Sequence, residues 1–350
     1  MNIVNSLEQI QKILQDRFLK SRKSVRKNIA LGIMALIKSE SCSLPEIAVQ
    51  MSSINNCAAA SNELRISRFL KSKEFQIDDP MWRDYVALLF DLLKEVGFLK
   101  NGKIIAINVD YTSSTDEFSI LSASIPYQGR ALPLYFSMRL YPKKKGNLNQ
   151  IKMEKAFIKA LEHLLSNKYK FVIVADRGFG NQRFVNLCED HGFDFIVRTK
   201  DNLKMLENEF SKVKKIKDLP QESYDFAEAI IVAWNKQVRL IKASSKVVKK
   251  SGKDNIWHII TSLNKATFSS ITKQYGYRFK CEKMFQDQKS SGFNIENSKI
   301  EKYDRFKKLL YLVSLTQMLM MFIGDYIDDN VDEIKKKFQL HIGLISAFSR

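Results

Sequence analysis

At 350 residues the chain is long enough to bury a full core and to hold more than one structural unit. Its 57 Lys and Arg against 38 Asp and Glu leave a formal charge of +19, which favours a polyanionic partner and disfavours a free small-molecule enzyme. No basic amphipathic helix with apolar anchors stands out, so nucleic acid is favoured over a membrane surface. Cys42, Cys57, Cys188 and Cys281 lack Cys-x-x-Cys pairing and the histidines are scattered, which argues against a zinc site and for a reducing compartment.

Residues 1–100 read as a small bundle of helices. Ser43-Leu44-Pro45-Glu46 is a capping box with Pro in the first turn, and Asp79-Pro80 opens a helix that carries Trp82, Val86, Leu89 and Leu93 toward Gly97. Between them, residues 58–72 place Arg65, Arg68 and Lys71 three apart on one face, with Leu64, Ile66, Phe69 and Leu70 mostly elsewhere. That pattern fits two readings, a helix-turn-helix that reads DNA ends and a basic, solvated face on a structural bundle.

Near residue 101 helical spacing gives way to strands. Residues 103–110, 118–126 and 131–140 are rich in Ile, Val, Leu, Tyr and Phe with turn residues between them, which predicts a three-stranded antiparallel meander. A helix over 148–166, a strand over 169–175, a helix over 181–190 and a strand over 193–199 follow. Together they predict an α/β fold, a mixed sheet with helices on its faces. Residues 202–264 alternate short apolar runs with Lys-rich pieces and read as a β-rich insertion. Helices return over 272–289 and from 303 to about 326. The apolar stretch 309–323 is too short to span a bilayer and contains Ser314, Thr316 and Gln317, so it reads as a buried helix. The chain opens without an apolar signal core, and a cytoplasmic, nucleoid-associated protein is expected.

Three places carry chemistry. Asp110-Tyr111-Thr112 follows the apolar run 104–109, and Asp176-Arg177-Gly178-Phe179 follows the apolar run 171–175. Tyr275, Arg278, Glu282 and Lys289 lie at offsets of 0, 3, 7 and 14, within about 60° of arc on one α-helix. A phenol, a guanidinium, a carboxylate and an ammonium on one stripe suit a phosphodiester held beside a metal ion. Each motif has a plainer reading. Asp110 would cap a strand end, Asp176-Arg177-Gly178 would be a turn, and Arg278 with Glu282 would be an exposed i,i+4 ion pair. Against those readings, a carboxylate at the end of a nearly continuous apolar strand is costly unless paired or metal-bound, and this chain has two. Asp116 and Glu117 read as turn residues, and Glu154 as part of a solvated helix face.

The spacing Tyr-x2-Arg-x3-Glu-x6-Lys, together with Asp-x-Thr and Asp-Arg-Gly-Phe, resembles the signature of bacterial insertion-sequence transposases that have an Asp-Asp-Glu triad and hairpin DNA intermediates. The resemblance implies a ribonuclease-H-like fold divided as follows: a helical DNA-binding domain (1–100), the first part of the catalytic core (101–200), a β-rich insertion (201–265), and the second part of the core with C-terminal helices (266–350). It makes Asp110, Asp176 and Glu282 the catalytic residues and the ligands of Mg2+ or Mn2+, two ions in all. Tyr275, Arg278 and Lys289 would grip a cleaved end. Arg198 and Lys200 resemble an Arg-x-Lys leading into the insertion and would contact DNA backbone, or are surface cations. Arg65 and Arg68 would contact DNA from the helical domain.

The implied activity is cut-and-paste transposition by a homodimer on double-stranded DNA, first terminal inverted repeats and then target, with no membrane involved. Strands are nicked, the freed 3′-hydroxyl makes a hairpin, and the end joins target DNA. The alternatives are a nuclease of the same fold without strand transfer and a catalytically silent DNA-binding inhibitor of transposition. The Lys runs 143–145, 212–217 and 246–253 read as non-specific phosphate contacts or solvated loops. Trp234 and Trp257 would be core residues, or one of them would hold a flipped base.

Overall fold

A computed structural model describes residues 3–100, 102–114, 118–140, 148–219, 223–244, 256–290 and 292–329. The chain begins with five helices, α1 (Ile3–Arg17), α2 (Lys23–Ser39), α3 (Leu44–Asn55), α4 (Ala59–Lys71) and α5 (Asp79–Glu95). Asp78 caps α5 by accepting the Met81 N–H, and Pro80 occupies the first turn. The expected capping box at α3 does not form, because the Ser43 N–H that Glu46 would accept is already donated to Ser41 Oγ at 3.1 Å. Between α3 and α4 the chain turns in three residues. Asn56 takes the left-handed conformation, and the amides of Asn55 and buried Asn62 bond each other at 2.9 and 3.1 Å.

Ten strands form one sheet in the order β3-β2-β1-β4-β5-β10-β9-β8-β6-β7. The first half holds β1 (Ile104–Ser114), β2 (Phe118–Tyr127) and β3 (Arg130–Leu140), the predicted meander. Helix α6 (Leu148–Leu164) then leads to β4 (Lys170–Ala175), and α7 (Gln182–Asp190) to β5 (Asp194–Arg198). Both β4 and β5 join in parallel, as strand-helix-strand crossovers require. The second half comprises β6 (Lys204–Leu206), β7 (Lys214–Lys215), β8 (Tyr224–Ile231), β9 (Lys236–Ser244) and β10 (Ile256–Thr261). It continues the same sheet through antiparallel pairing of β10 with β5. The result is a large mixed sheet flanked by helices, consistent with a ribonuclease-H-like fold.

Successive strand residues point to opposite faces, and here both faces are covered. Val172, Val174 and Ile196 pack with Ile271 and Tyr275, whereas Phe171, Ile173, Phe195 and Val197 join the main core on the other side. The chain closes with α8 (Phe268–Gly276), α9 (Lys280–Lys289) and α10 (Tyr303–Asp329). The apolar part of α10 is longer than expected. Residues Tyr303–Gly324 would span a bilayer by length and composition, yet 78% of that window is buried within the protein. There Tyr311 joins Tyr85, Tyr135 and Phe136 around Trp82, with ring centroids 4.9–5.3 Å from the indole, edge-on pairs worth about 0.5–1.5 kcal/mol each beyond area burial.

Candidate active site

The apolar runs deliver the two aspartates to neighbouring positions. Parallel pairing of β1 with β4 ends at Val109 and Ala175, so Asp110 and Asp176 are the next residues on adjacent strands, about 5 Å apart in the backbone. Asp110 is not at the end of its strand, because β1 runs on to Ser114 and pairs Asp110 with Ser122 of β2. Asp176 opens a 3-10 turn, Arg177–Phe179. Gly180 then lets that turn lie against β5, since a Cβ there would fall 2.4 Å from the Arg198 carbonyl oxygen.

The predicted helix over 272–289 is interrupted, which alters the expected stripe. Helix α8 ends at Gly276, a 3-10 turn covers Tyr277–Phe279, and α9 begins at Lys280. The Asn108 amide, on the same strand face as Asp110, donates to the Tyr277 carbonyl at 3.1 Å and engages it within this turn. At 3.0 residues per turn, three 3-10 residues rotate α9 by roughly 60° relative to a continuous α-helix. Tyr275, on α8 before the turn, packs with Val172, Val174 and Ile196 of the sheet and is fully buried against Trp257, with rings 4.9 Å apart, and its hydroxyl makes no hydrogen bond. The expectation that Tyr275 contacts DNA fails on that burial; it is a wall of the site.

Arg278 holds the centre. Its buried guanidinium donates from Nη1 to Asp110 Oδ2 at 3.0 Å and from Nη2 to Glu282 Oε1 at 3.1 Å. Glu282 stands at the mouth, its side chain 58% exposed. Among the described residues no three Asp, Glu, His or Cys side chains stand close enough to share one ion; Arg278 instead bridges Asp110 and Glu282. Lys289 lies two turns beyond Glu282, about 10 Å along the axis. It is half-buried and senses Glu296.

The electrostatics follow from burial. Desolvation raises the Asp110 pKa above the usual carboxylate range. The Arg278 charge, the Tyr111 N–H at 2.8 Å and the Cys281 thiol at 3.6 Å oppose the rise, and the charge of Asp176 adds to it. Burial pushes the Tyr275 phenol up to about 12. For Arg278 burial alone would lower the pKa, but Tyr275, Asp110 and Asp176 together hold it above its ordinary value. One carboxylate oxygen of Asp176, Oδ1, is buried without a hydrogen-bond partner.

The remaining predicted residues lie farther out. Arg198 is the last residue of β5, one register step past the pair Ala175 and Val197 and so beside Asp176, with Nη2 donating to the Ile256 carbonyl at 3.2 Å. Lys200 is exposed. Arg65 donates to Asn28 Oδ1 at 2.8 Å and Arg68 is exposed; both line a groove of about 370 Å³ between α2 and α4. Trp234 and Trp257 are both buried, so neither presents its ring to a base. Lys212, Lys214, Lys215 and Lys217 are exposed, while the runs 143–145 and 246–253, with Asp116 and Glu117, lie outside the described residues. Glu154 is not solvated: it is 2% exposed. Sequence reasoning also passed over Asn108 and Cys281, although Asn108, two residues before Asp110 in an apolar strand, was detectable as a same-face polar neighbour.

The profile of the transposase DDE domain matches residues 136–319, more than half of the chain. The chain therefore belongs to the transposase DDE domain family. The matched span includes Asp176 and Glu282 but begins after Asp110. No curated protein matches the chain. Among solved structures it is similar to endonuclease V from Bacillus subtilis, at 14% identity, covering 56% of this chain and 82% of that one, with a TM-score of 0.27.

Proposed function

We propose that this protein is the transposase of an insertion sequence, which binds the element's terminal inverted repeats, cuts them through hairpin intermediates and joins the ends to target DNA. The observation that supports this reading is that one buried arginine, Arg278, bridges Asp110 and Glu282, while Asp176 directly follows the strand that pairs in parallel with the strand of Asp110. The donor set fits Mg2+ or Mn2+, because all three groups are hard oxygen ligands and Asp176 Oδ1 is buried with no protein partner. Asp110 and Asp176 would hold the metal, with Glu282 at the mouth. When bound, the ions would make water or a 3′-hydroxyl a competent nucleophile and stabilise the leaving oxygen.

The chain's own groups supply the rest. Arg278 neutralises Asp110 and Glu282, and with those carboxylates engaged by metal its fork would suit the phosphate of a severed end. Lys289, Arg198 and Lys200 line the path of the DNA backbone. The α3–α4 pair, with its three-residue turn and with Arg65 and Arg68 on its second helix, matches the spacing of a helix-turn-helix and supports recognition of the ends. The enzyme acts as a homodimer on DNA.

The test is incubation with Mg2+ and a duplex carrying the element's own terminal repeat. Nicked, hairpin and joined products are expected. Nicks alone would make the protein a nuclease without strand transfer, and binding alone would make it a silent inhibitor. Asp110→Asn, Asp176→Asn and Glu282→Gln should each lower cutting at least ~10³-fold, about 4 kcal/mol in the barrier, while leaving DNA affinity within about threefold. Cutting retained in any one of them removes that residue from the site.

A further inference from the structure

Asp110 and Tyr111 point to opposite faces of β1. On the face away from Arg278, the Tyr111 ring stacks on Phe179 at 5.4 Å with 5° between the planes, and its hydroxyl donates to Glu154 Oε1 at 3.2 Å. Phe179 ends the turn that Asp176 opens. One tyrosine thus touches the structural supports of both aspartates. Glu154, on α6, fixes the far end of that tyrosine. Its Oε1 also accepts from Gln150 Nε2 at 2.9 Å, and Oε2 forms an ion pair with Arg183 Nη2 at 2.7 Å. Arg183 stands on α7, the helix that leaves the Asp176 turn under an Asn181 cap.

We propose that Glu154 is a positioning residue of the active site, which clamps Tyr111 against the Asp176 turn and so sets the spacing of the two aspartates; this rests on their catalytic role. A carboxylate enclosed between a helix and a sheet is expensive, and an apolar side chain of similar volume would pack there more cheaply. What the acid adds is direction. It binds a group next to Asp110 and a group on the helix following Asp176, on the side of the sheet that Arg278 cannot reach. Metal-ligand carboxylates depend on such outer contacts, whose loss typically lowers metal affinity or activity 10–100-fold, and a misplacement of about 1 Å can cost 10²-fold in rate.

The deciding experiments compare the full-length protein with Glu154→Leu, Glu154→Gln and Tyr111→Phe. In metal-free protein, hydrogen exchange at residues 109–112 and 176–181 should quicken about tenfold in Glu154→Leu and in Tyr111→Phe, with exchange in α10 and α2 unchanged. Exchange altered only within α6, or raised evenly throughout the molecule, overturns the proposal. In single-turnover cleavage Glu154→Leu should slow the reaction 10–100-fold and raise the half-saturating Mg2+ concentration, at unchanged DNA affinity, and Glu154→Gln should recover most of the rate. Cleavage by Glu154→Leu within about twofold of the parent also overturns it. If the parent protein cuts no DNA, the catalytic reading fails, and the metal-free exchange still decides whether Glu154 holds the two aspartate supports together.

Discussion

From Phe171 to Ala175 every residue of β4 is buried, whereas in β8 Asp225, Ala227 and Glu228 are exposed and only Ala229 and Ile231 are fully enclosed. The two strands belong to one sheet but to different halves of it. In the first half helices cover both faces, so apolar residues run nearly without a break and an acid placed at the strand's end is held in a dry, rigid setting. In the second half β9 is still buried from Val238 to Ala243, but beyond it β8 and the short outer strands β6 and β7 are partly exposed, so this half opens to solvent toward its margin. At its far margin Phe210 is 97% exposed, beside exposed Lys212, Lys215 and Lys217. A rigid half can fix carboxylates to within the tolerance that chemistry demands, and an open half can offer charge along a surface. The junction is the pairing of β5 with β10, where Arg198 faces Ile259.

The largest effect should come from the rigid half. Gly180→Ala would place a methyl 2.4 Å from the Arg198 carbonyl oxygen and 3.0 Å from Thr199 Cα, both backbone atoms that cannot swing aside. The Asp176 turn must then lift from β5. A stability loss of about 1–3 kcal/mol is expected, with cleavage falling by about 10²-fold as Asp176 moves. Thermal unfolding and single-turnover cleavage check this. A Gly180→Ala protein that cuts normally would mean the turn has slack, and the contrast between the halves would lose its basis.

A smaller effect, of a different kind, belongs to the open half. Replacing Lys212, Lys215 and Lys217 together by Gln should weaken DNA binding and reduce the steepness of log affinity against log salt by about 0.9 per lost phosphate contact. The cleavage rate at saturating DNA should stay unchanged, since these lysines carry no chemistry. Titrations between 50 and 200 mM salt measure the slope. An unaltered slope would remove this margin from the DNA path, and a lowered saturating rate would make it part of the site.

Much of the rigid half was legible in sequence because unbroken apolar runs ending in Asp can fold in few ways. The meander, the crossovers and the junction of β4 with its acidic turn all follow from period and from turn residues. Strand adjacency does not, because it depends on register across residues some 65 apart. The break between α8 and α9 was hidden for a related reason. It is accompanied by the Asn108 amide on a distant strand binding the Tyr277 carbonyl, and helical periodicity carries no trace of that bond. Glu154 was misread because helix spacing ranks a charged residue as solvated, and only the fold brings Tyr111 and Arg183 over it. The open half was legible chiefly as composition, its Lys-rich pieces and short apolar runs marking a β-rich segment without revealing that it extends the same sheet.

The weakest effect expected is a pH dependence confined to the open half. His258, on β10, has its pKa lowered from 6.5 to about 4, chiefly by burial, with Lys242 and Arg198 adding to the shift and Asp201 opposing it. Its Nδ1 lies 3.0 Å from the Tyr224 hydroxyl on β8. The folded protein therefore favours the neutral ring, so the stability His258 contributes is complete above pH 6.5 and is lost as pH falls from 6.5 toward 4. The ring keeps part of its hydration, so the loss by pH 5 should be about 1 kcal/mol, or on the order of 2 °C in Tm. His258→Gln, which retains an acceptor for Tyr224, should therefore lose less Tm than the parent between pH 7.5 and pH 5. Equal losses would mean the ring protonates without strain and that this part of the second half is wetter than its burial suggests. A loss in exchange protection that appears first in β8–β10, with β1, β4 and β5 still protected, would place the acid-sensitive step in the open half, where the comparison puts it.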